Sequence, residues 1–161
     1  MSLKIFLLLL LQLKPVAVLP NFEDYHVGEP YKGKPAIVDL RSDPDARRFR
    51  TRLRQAAAKG PNFAGHYVVV MWGCGTSCQS LTIVDSRTGK VHSPLDPTSE
   101  GACFRIDSAL LITDPIDQET FDRYEGKLPD WLKTRYWKWD GNKMIELAST
   151  RAVMEKSCNE R

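Results

Sequence analysis

The clearest candidate for chemistry is a loop, Trp72–Cys78, with the sequence WGCGTSC. A cysteine nucleophile needs an exposed thiolate and a base within hydrogen-bond reach, and Cys74 with His66 would provide such a pair in a hydrolase or a thiol-exchange enzyme. The same loop fits a disulfide-bridged turn whose glycines serve backbone geometry. We favour the turn, because Cys78 would block the nucleophile in an oxidising compartment.

The chain contains four cysteines, an even number that favours two disulfides in an exported protein. Four cysteines allow three pairings, and we favour Cys74 with Cys78 and Cys103 with Cys158. The first pair needs a loop that brings its ends within about 6 Å. The second would tie down the polar C-terminal tail. The sequence leaves the other two pairings open.

Aromatic and hydroxyl side chains near this loop and near the C-terminus could form a contact surface for a binding partner. The candidate contact residues are Trp72, Thr76, Ser77, Trp137 and Trp139. Exposed aromatic rings build binding surfaces for sugars, peptides and proteins. Strand alternation places Trp137 and Trp139 on one side of their strand, so both would be core residues if that side is covered. Both interpretations stay open at this stage.

Other chemistries have weaker support in the sequence. The histidines and cysteines do not fit the ligand spacing of a closed zinc site, so we predict no metal and no cofactor. The carboxylates over residues 107–119 show no spacing that demands acid and base roles. Five arginines crowd a predicted helix: Arg47, Arg48, Arg50, Arg52 and Arg54. They do not share one helical face, which favours a solvated surface over an anion site.

One amphipathic helix and a set of strands would position these residues. The residues Ser42-Asp43-Pro44 are typical of a helix start. Apolar residues then recur at helical spacing until Gly60-Pro61. Residues 65–72 (GHYVVVMW) predict a central strand, because both alternating faces are apolar. Further strands are predicted at 36–40, 80–85 and 104–113.

The C-terminal part predicts a loop, a short helix and a hairpin. The loop covers 93–101, the helix covers 117–124, and the hairpin pairs 134–139 with 143–147 around Asp140-Gly141. Strands without βαβ alternation predict an α+β fold. We therefore expect an antiparallel β-sheet meander, packed by one N-terminal amphipathic helix and stabilised by disulfides.

Residues 1–20 differ from the rest of the chain. A basic start is followed by an apolar run over 5–13, which is the pattern of a secretory signal segment and is too short for a bilayer span. We therefore predict a signal segment over 1–20, one globular domain over 21–161, and a periplasmic or extracellular location without a stable membrane span after processing. No small-x-small pair marks the cleavage position.

The net charge excludes one class of partner. The chain has 23 basic and 20 acidic residues, and residues 1–20 contain Lys4 and Lys14 but no acid. Removal of that segment leaves 21 basic and 20 acidic residues, so the mature chain is close to neutral. A neutral chain lacks the basic field that nucleic-acid binding requires, and we predict no nucleic-acid partner.

Three sequence stretches resemble a group of uncharacterised exported bacterial proteins. They are GPNFAGHYVVVMWGCGTSC, DSALLI and LPDWLKTRYWKWDGNK, within roughly residues 36–148. The resemblance implies a bacterial, extracytoplasmic origin and carries no catalytic residue, since no activity is established for that group. On function, the residues favour a non-catalytic exported binding or inhibitor-like domain, with an exported protein or an envelope ligand as partner. The alternative is the enzyme that uses Cys74 and His66.

Overall fold

The computed structural model describes residues 18–155 and Cys158. The predicted signal segment lies outside the described residues except for its last three. In chain order the elements are a 3-10 helix (Glu23–Tyr25), α1 (Arg50–Ala57), β1 (Tyr67–Gly75), β2 (Cys78–Asp85), β3 (Val91–His92), β4 (Ala102–Phe104), β5 (Leu110–Thr113), α2 (Gln118–Arg123), β6 (Thr134–Trp139) and β7 (Met144–Thr150). None of the helices in this part of the chain is long and apolar enough to cross a membrane.

The strands form two antiparallel sheets. Sheet 1 has the order β1-β2-β3, and sheet 2 has the order β4-β5-β6-β7. The predicted α+β class is confirmed, with far more strand than helix. The single predicted meander is wrong in one respect, because the chain leaves sheet 1 after β3 and begins a second sheet at β4.

Strand β1 is buried on both faces over Tyr67–Trp72, as its sequence predicts. The prediction that it is central in its sheet is wrong, because β1 is an edge strand of sheet 1 and β2 is the central one. On one face, Val68 and Val70 pack in a cluster with Leu53 of α1. On the other face, Val69 packs in a cluster with Leu111 of sheet 2. Sheet 1 is therefore the middle layer between α1 and sheet 2.

The outer face of sheet 2 is covered by the two ends of the described chain. Leu110 and Tyr136 pack there against Phe22 from the N-terminal segment and Met154 from the C-terminal segment. A disulfide between Cys103 and Cys158 holds the C-terminal segment in place. In a chain-entropy account, closing a loop of 55 residues contributes about 4 kcal/mol.

Both disulfides join the cysteines that the sequence favours. Cys74 pairs with Cys78 at a Cα–Cα distance of 5.1 Å, and Cys103 pairs with Cys158 at 5.4 Å. Stable disulfides require an oxidising environment, which exported proteins meet. The pairings therefore agree with the predicted export of the chain.

The predicted helix is shorter than the sequence indicates. Residues 44–49 form turns, and α1 begins only at Arg50. The hydroxyl of Ser42 does not cap the helix, because it donates to the carbonyl of Asp39 and accepts the amide of Val91. Ser42, which the sequence predicts at the helix start, instead joins the 39–42 turn to β3.

Two strand predictions are also corrected. The region 104–113 is broken between β4 and β5, because the hydroxyl of the fully buried Ser108 donates to the carbonyl of Phe22. The predicted strand 36–40 is reduced to a single bridge between Asp39 and Lys90. In both places the local pattern is overridden by a contact with a distant part of the chain.

The hairpin turn predicted around Asp140-Gly141 is confirmed, and a second turn joins β2 to β3. Between β2 and β3, the carboxylate of Asp85 accepts the amide of Arg87, and Gly89 adopts φ +78°. A side chain at Gly89 would also collide with the carbonyl of Ile37. Between β6 and β7, the carboxylate of Asp140 accepts the amides of the two residues after Gly141.

Substitution of Leu53 tests the packing of α1 on sheet 1. Leu53 is 1% exposed, so we expect Leu53→Ala to lower the free energy of unfolding by about 2–5 kcal/mol and Leu53→Asp to prevent stable folding. Urea denaturation followed by circular dichroism measures both. The exposed neighbour Arg54 gives the control, since Arg54→Ala changes stability by less than about 0.5 kcal/mol. Equal stability of Leu53→Ala and Arg54→Ala would contradict this packing.

Candidate functional site

The loop at residues 72–78 is a disulfide-bridged turn at the tip of the β1–β2 hairpin, which is the interpretation that the sequence favours. Gly75 pairs with Cys78 across this tip, and Ser77 adopts a left-handed backbone with φ +47°. Cys74 is bonded to Cys78, and the described residues include no free cysteine. Thr76 and Ser77 are exposed there, and their role as contact residues stays a prediction.

His66 and Cys74 are not brought together. His66 precedes the first residue of β1, whereas Cys74 lies at the other end of this strand. Eight residues of extended chain at about 3.3 Å each separate them by about 26 Å. The structure therefore contradicts both requirements of the cysteine enzyme, because its thiol is bonded and its base is remote.

Two histidines are packed into the fold: His66 directly before β1, and His92 within β3. His66 stacks on Tyr67 with 4.1 Å between ring centroids, and its Nε2 lies 3.9 Å from a carboxylate oxygen of Asp85. His92 meets the ring of Trp139 edge to face at 5.3 Å. Burial lowers the pKa of both imidazoles, although Asp85 opposes this effect. This packing is that of structural histidines.

Two of the predicted contact residues belong to the core. Trp72 is 8% exposed and packs on Phe49 with 4.5 Å between ring centroids, and Trp139 is 3% exposed between the two sheets. For these residues the contact-surface interpretation is wrong. Sheet 1 covers the side of β6 that carries Trp139.

Trp137 differs from these two residues because it lines a groove. The groove has a volume of about 520 Å³ and separates the 93–98 segment from the inner face of sheet 2. A smaller cavity of about 150 Å³ lies where the same segment meets α1 and sheet 1. The bridge between Thr98 and Gln79 of β2, with backbone hydrogen bonds of 2.7 and 2.8 Å, fixes the segment in this position.

Asp114 is the most constrained residue of the groove. It adopts φ +50°, a left-handed conformation that costs a residue with a side chain on the order of 1 kcal/mol or more. The amides of Ser99 and Glu100 donate to its Oδ1 at 2.7 and 2.9 Å, and its backbone carbonyl accepts the hydroxyl of Thr134. Both amides bind one oxygen, which leaves Oδ2 for another donor. The carboxylate is therefore held in a fixed position.

Trp137 is oriented in a similar way. Its Nε1 donates to the hydroxyl of Thr113 at 3.0 Å, which fixes the plane of the indole ring. On the opposite wall, the hydroxyl of Thr98 is buried and has no hydrogen-bond partner within the part of the chain that the structure describes. A buried hydroxyl without a partner is unusual in a folded protein. The groove thus combines a fixed aromatic face with the fixed carboxylate of Asp114.

The groove is acidic. Asp96, Asp114 and Glu146 contribute three carboxylates, and Arg135 contributes one guanidinium, for a formal net charge of −2. A cleft lined by one sign of charge favours a ligand of the opposite sign. The arginines of the 47–54 region are exposed and do not line this groove.

Of the residues that line this groove, Trp137 alone is predicted from the sequence as a contact residue. The 93–98 segment falls within the predicted loop over 93–101, and Asp114 directly follows the predicted strand over 104–113. The position of Asp114 in a loop directly after a buried strand is a second signal, because binding residues lie disproportionately on loops. No protein-family model, no curated protein and no solved structure matches the chain.

The packing of the histidines predicts a pH dependence of stability. Because burial lowers the pKa of His66 and His92 below 6.5, the unfolded chain binds protons more readily than the folded chain. Stability is therefore full above about pH 6.5 and decreases as the pH falls towards 5. Urea denaturation at pH 7.5 and 5.5 measures this loss.

A double variant separates the histidines from the carboxylates in this experiment. We expect His66→Gln with His92→Gln to reduce the loss of stability between pH 7.5 and 5.5. His26→Gln serves as the control because His26 is exposed. A loss in the double variant as large as in the parent chain would show that the two imidazoles do not carry this pH dependence.

Proposed function

We propose that the chain is a non-catalytic exported binding domain, periplasmic or secreted, that binds its ligand in the groove between the 93–98 segment and sheet 2. The observation that carries this proposal is the pair of fixed groups in the groove. Trp137 is held by Thr113, and Asp114 is held in a strained backbone conformation by amides of the neighbouring loop. Strained residues persist where the surrounding structure fixes them, and they cluster at functional sites.

The size and chemistry of the groove support binding. Ligand sites in proteins have volumes of about 300–1,000 Å³ and combine an aromatic surface with a few positioned polar groups. The groove has a volume of about 520 Å³ and provides one indole ring, three carboxylates and one guanidinium. Its groups are preorganised, which lowers the entropic cost of binding. The ligand is an exported protein or an envelope component.

Binding is favoured over catalysis by the state of the loop at residues 72–78. Cys74 is bonded to Cys78, and His66 lies at the far end of β1. The disulfide rigidifies the hairpin tip and gives it a structural role. The resemblance to exported bacterial proteins agrees with a bacterial, extracytoplasmic site of action.

A substitution of Trp137 tests the groove as the ligand site. We expect a ligand from a panel of envelope oligosaccharides and short peptides to shift the indole resonance of Trp137 and the amides of 93–98 in NMR spectra of the 15N-labelled chain. Trp137→Ala should weaken that binding at least tenfold, or about 1.4 kcal/mol, because buried aromatic anchors dominate binding energy.

Trp131 supplies the control for this experiment. It is 57% exposed and does not line the groove, so Trp131→Ala should leave the affinity unchanged. Glu146 is an exposed residue of the groove, so Glu146→Ala should fold like the parent chain. A loss of affinity in this variant is therefore a loss of binding and not of folding. Ligand-induced shifts at the 74–78 turn alone, with full affinity in Trp137→Ala, would contradict the groove as the site.

A further inference from the structure

Strand β7 is an edge of sheet 2. It spans Met144–Thr150 and pairs with β6 alone among the described strands. Most of its residues are exposed, including Ile145 and Leu147, which are 41% and 36% exposed. The backbone amides and carbonyls along its open side are a template for another strand.

The groove extends to this edge. On the inner face of sheet 2, Trp137 lies opposite Glu146, and Trp139 lies opposite Met144. Both of these β7 residues line the groove together with Trp137. In a strand added beside β7, the residue opposite Glu146 would extend the row that Trp137 and Glu146 form. Its side chain would enter the groove.

The charge of the groove selects the type of that side chain. The inward residue of an added strand would lie about 5 Å from Glu146, at the distance of a cross-strand pair. Because the groove has a formal charge of −2, a basic residue pairs favourably at this position and an acidic residue is repelled. Ile145 and Leu147 offer apolar contacts to the neighbouring residues of the strand.

We propose that the ligand of the groove is an extended peptide segment of a partner protein, which adds to β7 as a fifth strand and places a lysine or arginine in the groove. This inference rests on the proposed function and specifies its ligand. Main-chain hydrogen bonds to β7 provide affinity, and the acidic groove provides specificity. Leu147 is the extra residue of a β-bulge, and the stretch of β7 on the groove side of this bulge is Met144, Ile145 and Glu146.

A second copy of the chain does not fit this edge through its own β7. The sequence of β7 is MIELAST, which contains one acid and no base. Two β7 strands paired with each other would bring together two grooves that each have a formal net charge of −2. The partner strand must therefore come from a different segment that carries a base.

The test uses a displayed library of eight-residue peptides, selected on the full chain with its disulfides intact. We expect the selected peptides to share a lysine or arginine at one position, flanked by residues with high β-propensity. The best peptide is then synthesised as its lysine form and as its glutamate form. The lysine form should bind at least tenfold more tightly, as measured by fluorescence anisotropy.

A charge reversal in the protein provides the matched experiment. Glu146→Lys should lower the affinity for the lysine peptide at least tenfold and raise the affinity for the glutamate peptide. Glu29→Lys is the control, because it changes the net charge equally at an exposed position outside the groove. An equal effect of the two variants would overturn the assignment of the base to the groove.

Methylation of the peptide backbone tests the strand addition itself. In an added strand, alternate amides point at β7, so N-methyl groups placed along the peptide should weaken binding with a period of two residues. A uniform effect would overturn the inference. If oligosaccharides bind the groove and no peptide is selected, the inference fails while the proposed function stands. If neither oligosaccharides nor peptides bind, the inference and the proposed function both fail. A stable dimer through β7 would also overturn the inference.

Discussion

The burial of β1 on both faces is the constraint on which the rest of the structure depends. Val68 and Val70 need an apolar cover on one side, and Val69 needs one on the other. One sheet cannot provide both covers, so the chain must place a separate layer on each side. Helix α1 supplies the first layer, and sheet 2 supplies the second.

The groove follows from this layered arrangement. The chain must leave sheet 1 after β3 and reach the start of sheet 2, and the 93–98 segment makes that connection. Its bridge to β2 holds it over the inner face of sheet 2, beside the strands that carry Thr113 and Trp137. The carboxylate of Asp114 accepts the amides of Ser99 and Glu100, which directly follow this segment. These hydrogen bonds stabilise the left-handed backbone conformation of Asp114. The contacts that hold the 93–98 segment against the two sheets therefore also position the polar groups of the groove.

The features whose causes are local could be predicted from the sequence. The apolar run of β1 and the hairpin around Asp140-Gly141 follow from side-chain alternation and turn residues. The helix start at Ser42 was wrong because its hydroxyl bonds to Val91, which is distant in sequence. The alternation that places Trp139 on one side of β6 cannot indicate what covers that side. The groove could not be predicted either, since it requires the packing of one sheet on the other.

Native-state hydrogen exchange tests the central role of β1 most directly. If the two layers depend on the shared strand, the amides of Val68, Val69 and Val70 exchange only by global unfolding, and no amide of sheet 2 is protected beyond that limit. Exchange rates measured by NMR over a series of low denaturant concentrations give these free energies. Protection that survives in β4–β7 after β1 and β2 have opened would contradict the account, because sheet 2 would then be stable without its cover.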